Sequence, residues 1–111
     1  MNSLAEKKCV PCEGNIAPFS EKKEDEYLQQ IPEWNIEREG IHHLGRKFTF
    51  ENFVQSMKFV NAVANLAEEE GHHPDIHIYY NRVTLELHTH AIKGLHENDF
   101  IVAAKINKIT V

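Results

Sequence analysis

The stretch IHIYYNRVTLEL, residues 76–87, decides the fold, because apolar and polar residues alternate on both sides of Asn81 and Arg82. Alternation of this kind predicts β-strands, and a short break between two such runs predicts a hairpin. With Asn81 and Arg82 as a two-residue turn, Tyr80 would pair with Val83, and further pairs would follow outward. The stretch therefore predicts two antiparallel strands joined by a tight turn.

Two groups of histidines flank this hairpin, HHPD at residues 72–75 and HTH at residues 88–90. In the predicted register His73 lies opposite His90, and directly opposed residues have Cβ atoms about 4.5–5.5 Å apart. Histidine has an ordinary pKa of about 6.5, so it exchanges protons near neutral pH, and it also binds metals. The hairpin therefore predicts one site built from histidines that are distant in the sequence.

The remaining elements are predicted from helical spacing and from residues that begin or end helices. Ser20 and Thr49 are possible N-caps, and Gly71 suits the left-handed position after a helix. The predicted segments are helix 20–31, strand 34–39, strand 42–50, helix 51–70 and, after the hairpin, helix 96–109. The order α-β-β-α-β-β-α predicts an α+β fold, a four-stranded antiparallel sheet with three helices packed on one face.

Residues 1–19 carry no periodic pattern and contain loop-forming proline and glycine, which predicts a flexible N-terminal arm before one domain at residues 20–111. The edge strands of so small a sheet would expose unpaired backbone groups, which favours a homo-oligomer.

The charge pattern narrows the possible partners. A net charge of −5 and scattered Lys and Arg residues exclude non-specific nucleic-acid binding, which needs a basic patch. No apolar run approaches the about 20 residues of a membrane helix, and the N-terminus lacks an apolar signal segment. We therefore expect a cytoplasmic protein with no nucleic-acid or membrane partner.

The chain has two cysteines, Cys9 and Cys12, in a CVPC sequence. A structural zinc site usually needs four ligands, and a redox pair usually opens a helix after a strand, whereas Pro11 and Gly14 indicate a loop here. We expect unreactive reduced thiols. A metal shared between subunits, or with a distant histidine, is the alternative.

Three interpretations of the histidine groups compete: exposed residues without a role, a metal site and an acid–base site. His88 and His90 share a strand face, as one ion would require, with His73 and Asp75 as further ligands. Two features favour acid–base chemistry. Adjacent imidazoles before a proline point in different directions, and Glu68 precedes His72 by one helical turn, close enough to bind a histidine or a ligand amine.

The spacing Glu68-x-x-x-His72-His73-Pro74, then Tyr79 or Tyr80, then His90 and Asp99, resembles the signature of the pterin-4a-carbinolamine dehydratases. The resemblance covers residues 20–108 in register. A double histidine, a proline and a third histidine at fixed separation make the motif specific.

The resemblance implies a hydro-lyase that removes water from 4a-hydroxytetrahydrobiopterin and yields quinonoid dihydropterin, without metal or cofactor. This reaction recycles the pterin cofactor of aromatic amino acid hydroxylases, one of which is a possible partner. The resemblance assigns catalysis to His72, His73 and His90, with His72 and His90 as the acid/base pair. It assigns substrate binding to His73, Glu68 and Asp99.

The family resemblance also implies a homodimer or a homotetramer. Two other functions stay open at this point, a non-catalytic interaction or assembly protein similar to a transcription cofactor, and a histidine-rich metal-binding domain.

Overall fold

Three helices and four strands follow one another in the order expected from the sequence. The computed structural model describes residues 3–10 and 16–110. The elements are α1 Glu21–Leu28, β1 Asn35–Glu37, β2 His43–Thr49, α2 Phe53–Glu70, β3 Asp75–Tyr79, β4 Arg82–Leu87 and α3 Glu97–Ile106, with 3₁₀ turns at Leu4–Glu6 and His90–Ile92. The strands form one antiparallel sheet in the order β1-β2-β4-β3, and the predicted α+β fold is confirmed.

The hairpin predicted at residues 76–87 is present, but its register differs from the prediction. Val83 lies opposite Ile78 instead of Tyr80, so that Tyr80 and Asn81 form the connection and Arg82 already belongs to β4. The pairs shift by two residues, and each side chain therefore keeps the sheet face that alternation assigned to it.

The cause is a tertiary contact at Asn81. Its carbonyl oxygen accepts a hydrogen bond from the Phe50 N–H at 2.7 Å, and its side-chain amide donates to the Phe50 carbonyl at 3.1 Å. This anchors Asn81 to the end of β2, and Tyr80 takes a left-handed φ of 51°. The predicted pairing of His73 with His90 is therefore wrong. Both residues instead line one cleft, His73 from the segment after α2 and His90 from the segment after β4.

The core lies between the helices and the apolar face of the sheet. Val83, Leu85 and Leu87 on the central strand β4 are fully buried, as their alternation predicts, and so is Leu44 on β2. The helix α3 is buried along most of its length and supplies Phe100 and its neighbours to the same cluster. Each large side chain buried in this way contributes about 1.5–3 kcal/mol, which holds α3 firmly beneath the site described below.

Helix ends determine where the chain enters that site. The Ser20 side chain accepts a hydrogen bond from the Lys23 N–H, as expected of an N-cap. Asn52, and not Thr49, caps α2, while Gly71 ends this helix in the expected left-handed conformation with a φ of 65°. Within residues 3–10 and 16–110, no helix has the length and apolar character needed to cross a bilayer.

The described part of the N-terminal segment packs on the domain. Leu4 is buried in the core against α3, and the Lys7 ammonium pairs with the Glu97 carboxylate at 2.9 Å. Residues 1–19 show no apolar periodicity, so no local sequence pattern predicts these contacts. Residues 3–10 thus lie against the first turn of α3, beside the histidines.

Candidate active site

A cleft of about 680 Å³ joins the two histidine groups. It lies between the C-terminal end of α2, the segment after β4 and the N-terminal segment. Its lining includes Glu68, His72, His73, His88, Thr89 and His90. His90 reaches the cleft because it begins the 3₁₀ turn His90–Ile92, and not because it pairs across the hairpin.

Gly71 directs the two adjacent histidines to different places. The left-handed residue ends α2, and the His72 N–H donates to the Ala67 carbonyl at 3.2 Å, which closes the last helical turn. The His72 side chain then points toward the protein and is 13% exposed, whereas the His73 side chain is 58% exposed at the rim. The expected divergence of adjacent imidazoles is therefore present.

The Nε2 of His72 lies 2.7 Å from Oδ1 of Asp99, a carboxylate with no solvent exposure. The other Asp99 oxygen accepts hydrogen bonds from the Thr89 hydroxyl at 2.8 Å and from the His96 N–H at 2.9 Å. Because the carboxylate accepts, Nε2 of His72 carries the proton of the neutral ring, and Nδ1 is left to accept a proton from a bound molecule. This arrangement equips His72 for acid–base chemistry.

The prediction that Asp99 binds substrate does not agree with its burial. Both carboxylate oxygens are engaged by protein groups, so Asp99 influences the cleft through His72. It also accepts the N–H of His96, the N-cap residue that precedes α3, and so supplies the N3 half of a capping box. We assign Asp99 as the residue that positions His72.

Sequence reasoning missed Thr89. This buried residue continues the apolar register of Val83, Leu85 and Leu87, so alternation turns it toward the core. A buried hydroxyl requires a hydrogen-bond partner, and here it donates to Asp99. The signal was thus a polar residue at a core position between two histidines.

The second histidine–carboxylate pair lies at the rim. The Nε2 of His73 is 2.6 Å from the Glu68 carboxylate, and both side chains are largely exposed. An exposed pair of this kind contributes about 0–1 kcal/mol, so a ligand can replace either partner at little cost. The predicted contact between Glu68 and the histidine group is present.

The charge of the cleft favours ligands with N–H donors. Its described lining carries the carboxylates of Glu68, Glu69 and Asp75, besides a Glu70 carboxylate that is paired with Lys105, and no lysine or arginine. A phosphate or carboxylate ligand would meet like charge here, which is unfavourable in a partly desolvated site. An electron-poor heterocycle with amino groups suits this lining.

His88 and His90 lie against each other, with ring centroids 4.1 Å apart. Burial, followed by the nearby charge of His90, lowers the pKa of His88 below its ordinary value. This lowered pKa favours the neutral form of the His88 ring at neutral pH. The expected proximity of His88 to His90 is present, although His90 begins a 3₁₀ turn and does not continue the strand.

The remaining histidines lie outside the cleft. His42 pairs with the buried Glu24 at 2.8 Å, and both His43 and His77 contact Glu86 on the open face of the sheet. Among residues 3–10 and 16–110, no group of three or more His, Cys, Asp or Glu side chains is arranged to hold a metal ion.

Helix α2 ends in three glutamates, residues 68–70, whose negative charges oppose the helix dipole. The contacts of Glu70 give one of them a structural role. Its nearly buried carboxylate accepts the Cys9 N–H at 2.9 Å and the Lys105 ammonium at 2.8 Å. Burial by itself would raise the pKa of Glu70, but these two partners outweigh it, and the net pKa lies below the usual range. Glu70 thus connects α2, α3 and the N-terminal segment.

We expect Glu70→Gln to lower the free energy of unfolding by about 1–3 kcal/mol at pH 7, because it removes a buried carboxylate from two donors. A carboxylate whose folded pKa is depressed stabilises above its unfolded pKa of about 4.3, and loses this effect as the pH falls through the folded value. Urea unfolding at several pH values should therefore show the gap between wild type and variant shrinking below pH 4.3. The exposed Glu69→Gln is the matched control, and an unchanged gap at low pH would contradict the assignment.

The thiol of Cys9 is half-buried and lies 3.7 Å from the Asn98 carbonyl oxygen. Burial, and then the negative charge of Glu70, raises the pKa of Cys9 to about 12. Cys9 is therefore protonated at neutral pH. Because the thiolate is the reactive form of cysteine, this disfavours nucleophilic or redox chemistry at Cys9. Cys12, the second residue of the predicted thiol pair, lies outside the described residues.

Comparison with known sequences agrees with this geometry. The sequence model of the family described as pterin 4 alpha carbinolamine dehydratase matches residues 17–109. A protein of Halorhodospira halophila, provisionally named a pterin-4-alpha-carbinolamine dehydratase, is 44% identical and covers 96% of this chain and 97% of its own. A protein of Rubrobacter xylanophilus with the same provisional name is also 44% identical, covering 98% of this chain and 100% of its own.

Solved structures give the same result for the fold. A Brucella melitensis protein described as a transcriptional coactivator/pterin dehydratase superposes with a TM-score of 0.76 at 31% identity, over 81% of this chain and 95% of that one. A pterin dehydratase-like protein, described as a RuBisCO assembly factor in the alpha-carboxysome, gives 0.58 at 28% identity, over 67% and 84% of the two chains. The family match extends over most of the sequence, and the chain therefore belongs to the pterin-4a-carbinolamine dehydratase family.

Proposed function

We propose that this chain dehydrates a 4a-hydroxytetrahydropterin, such as 4a-hydroxytetrahydrobiopterin, to the quinonoid dihydropterin. The observation that carries the proposal is the pairing of His72 with the fully buried carboxylate of Asp99. His72 lines a cleft that His73 and His90 also line. A scaffold without catalytic activity has no need for an oriented imidazole of this kind.

The reaction needs two proton transfers. The C4a–O bond breaks while an acid protonates the leaving hydroxyl to water, and a base removes the N5 proton so that its electron pair forms the C4a=N5 bond. The enzyme gives one proton to the leaving hydroxyl and takes one from N5, so its total number of protons is unchanged at the end of the reaction. Positioned acids and bases that titrate near neutral pH accelerate such steps by about 10²–10⁴-fold.

His72 and His90 form the acid/base pair in this proposal. The Asp99 carboxylate stabilises the imidazolium that forms when His72 takes a proton, and His90 lies across the same cleft. His73 and Glu68 bind and orient the pterin at the rim, where the Glu68 carboxylate can accept hydrogen bonds from ring N–H groups.

The proposal is tested by generating the 4a-carbinolamine in situ and following the loss of its absorbance above the spontaneous rate. We expect the wild-type chain to accelerate this loss and His73→Ala to reduce kcat/KM at least about tenfold, since the change removes a side chain that binds and orients the pterin beside the acid/base pair. His77→Ala, an exposed histidine outside the cleft, is the control. Undiminished dehydration by His73→Ala would reject the role of His73, and a wild-type rate equal to that of buffer would reject the function.

The wider setting follows from the same chemistry. The product is a quinonoid dihydropterin, and family membership suggests that the reaction serves the recycling of a tetrahydropterin cofactor, with a cytoplasmic aromatic amino acid hydroxylase as the proposed partner. A homodimer or homotetramer is part of the proposal, because β1 and β3 are the edge strands of the sheet and can pair with a second copy.

A second candidate, an assembly or coactivator protein, is favoured by one observation. Phe53 and Val54 are exposed apolar residues at the start of α2, and one structural relative is described as an assembly factor. Co-purification with a stable partner, together with no turnover of the carbinolamine, would favour this candidate over the enzyme.

A further inference from the structure

The first described part of the N-terminal segment ends at Val10, and this residue lines the cleft. Cys9 and Val10 line the cleft together with the histidines. The Val10 side chain is 64% exposed, whereas the described lining is otherwise mostly polar. A single exposed apolar side chain is ordinary on a protein surface, but this one lines a cleft whose other described residues are mostly polar, where a bound ligand can contact it.

The backbone of Val10 is held by one side chain. Oδ1 of Asn98 accepts the Val10 N–H at 3.1 Å, and its Nδ2 donates to the Val10 carbonyl oxygen. The amide of Asn98 therefore pairs with both backbone groups of Val10, as a neighbouring strand would. Asn98 is itself buried in the first turn of α3, next to Asp99.

A second anchor lies one residue earlier, where the Cys9 N–H donates to the buried Glu70 carboxylate. Two consecutive residues are thus fixed to α3 and α2 through their backbones. A rigid backbone leaves the Val10 side chain in one place, and preorganised contacts of this kind lose little entropy when a ligand binds.

A pterin carries its hydrogen-bonding groups along the edge of its bicyclic ring, whereas the two faces of the ring are less polar. The carboxylates and imidazoles of the cleft suit the edges, but a ring face needs apolar contact. We propose that Val10 is a substrate-binding residue whose isopropyl group covers one face of the pterin ring, held there by Asn98. This inference rests on the proposed function and extends it to the N-terminal segment.

The test measures binding of 7,8-dihydrobiopterin, which does not undergo the reaction, together with kcat and KM for the carbinolamine. Val10→Ala should raise Kd and KM about threefold to tenfold, and Val10→Asp should raise them further, with kcat changed less than about twofold. The matched control is Val54→Asp, which should behave as wild type. Val54 is an apolar residue on α2 that is 61% exposed and does not line the cleft.

The anchor is tested with Asn98→Asp, which removes the donor to the Val10 carbonyl. If Asn98 holds Val10 in place, the effect of Val10→Ala on Kd should largely disappear in the Asn98→Asp background, since coupled residues are non-additive. Full additivity would overturn the role of Asn98, and wild-type Kd and KM in Val10→Asp would overturn the inference. A wild-type chain that neither binds nor converts pterin would reject the proposed function instead.

Discussion

Replacement of His72 by alanine is expected to lower kcat for carbinolamine dehydration by about 10²–10⁴-fold, the usual contribution of a positioned acid or base. His72 is the histidine of the cleft whose Nε2 is fixed by a fully buried carboxylate. Its loss removes a proton-transfer group whose orientation no water molecule would reproduce. Steady-state absorbance measurements, corrected for the spontaneous reaction, give the effect on kcat, and single-turnover measurements give the effect on the chemical step.

Binding and folding must be separated from chemistry in this variant. We expect the Kd for 7,8-dihydrobiopterin to change less than about threefold, since edge and face contacts to the pterin come from other residues. His77→Ala is the control for loss of an imidazole elsewhere on the sheet. A His72→Ala protein that is folded, binds pterin and keeps more than about a tenth of wild-type kcat would show that His72 is not the principal proton-transfer group.

Asp99→Asn is expected to lower kcat by about 10²-fold or more while leaving the fold in place. The amide keeps the size of the carboxylate but provides no negative charge to stabilise the His72 imidazolium. It can also present an N–H to Nε2, which selects the other tautomer. The same change in the serine-protease triad costs about 10⁴-fold for this reason.

A purely structural role for Asp99 predicts a different set of results. We expect ¹⁵N resonances of His72 to show a protonated Nε2 in the wild type and a loss of that tautomer in Asp99→Asn. The Kd for 7,8-dihydrobiopterin should stay close to that of wild type. An unchanged tautomer together with an unchanged kcat would contradict the positioning role, whatever the change in thermal stability. Thr89→Val, which removes one donor to Asp99, should give a smaller decrease in kcat.

Much of the fold could be predicted because it depends on local patterns. Alternation placed Val83, Leu85 and Leu87 on the buried face, and helical spacing with Gly71 placed the end of α2. The hairpin register could not be predicted, because the contact between Asn81 and Phe50 joins the turn to a strand about 30 residues earlier. The turn follows this tertiary contact and not the local preference of its residues.

In the candidate site, too, some residues could be predicted from the sequence and others depend on tertiary packing. The spacing of His72, His73 and His90 identified the residues that line the cleft, through a motif that is read directly from the sequence. The burial of Asp99 beneath His72 depends on how α3 packs, which no local pattern contains. The place of Val10 in the cleft depends on contacts with α3 from residues without periodicity.

The two oxygens of Asp99 also constrain how this protein can evolve. One carboxylate oxygen orients the His72 imidazole, and the other accepts the N–H of His96, the residue that caps α3. Under the proposed function, a substitution at Asp99 that loses both sets of contacts would lower activity and also destabilise the start of α3, so a relative without the activity would still be under selection to retain the aspartate. Drift toward non-enzymatic roles should first change the histidines, and an inherited aspartate beneath missing histidines would mark a former enzyme.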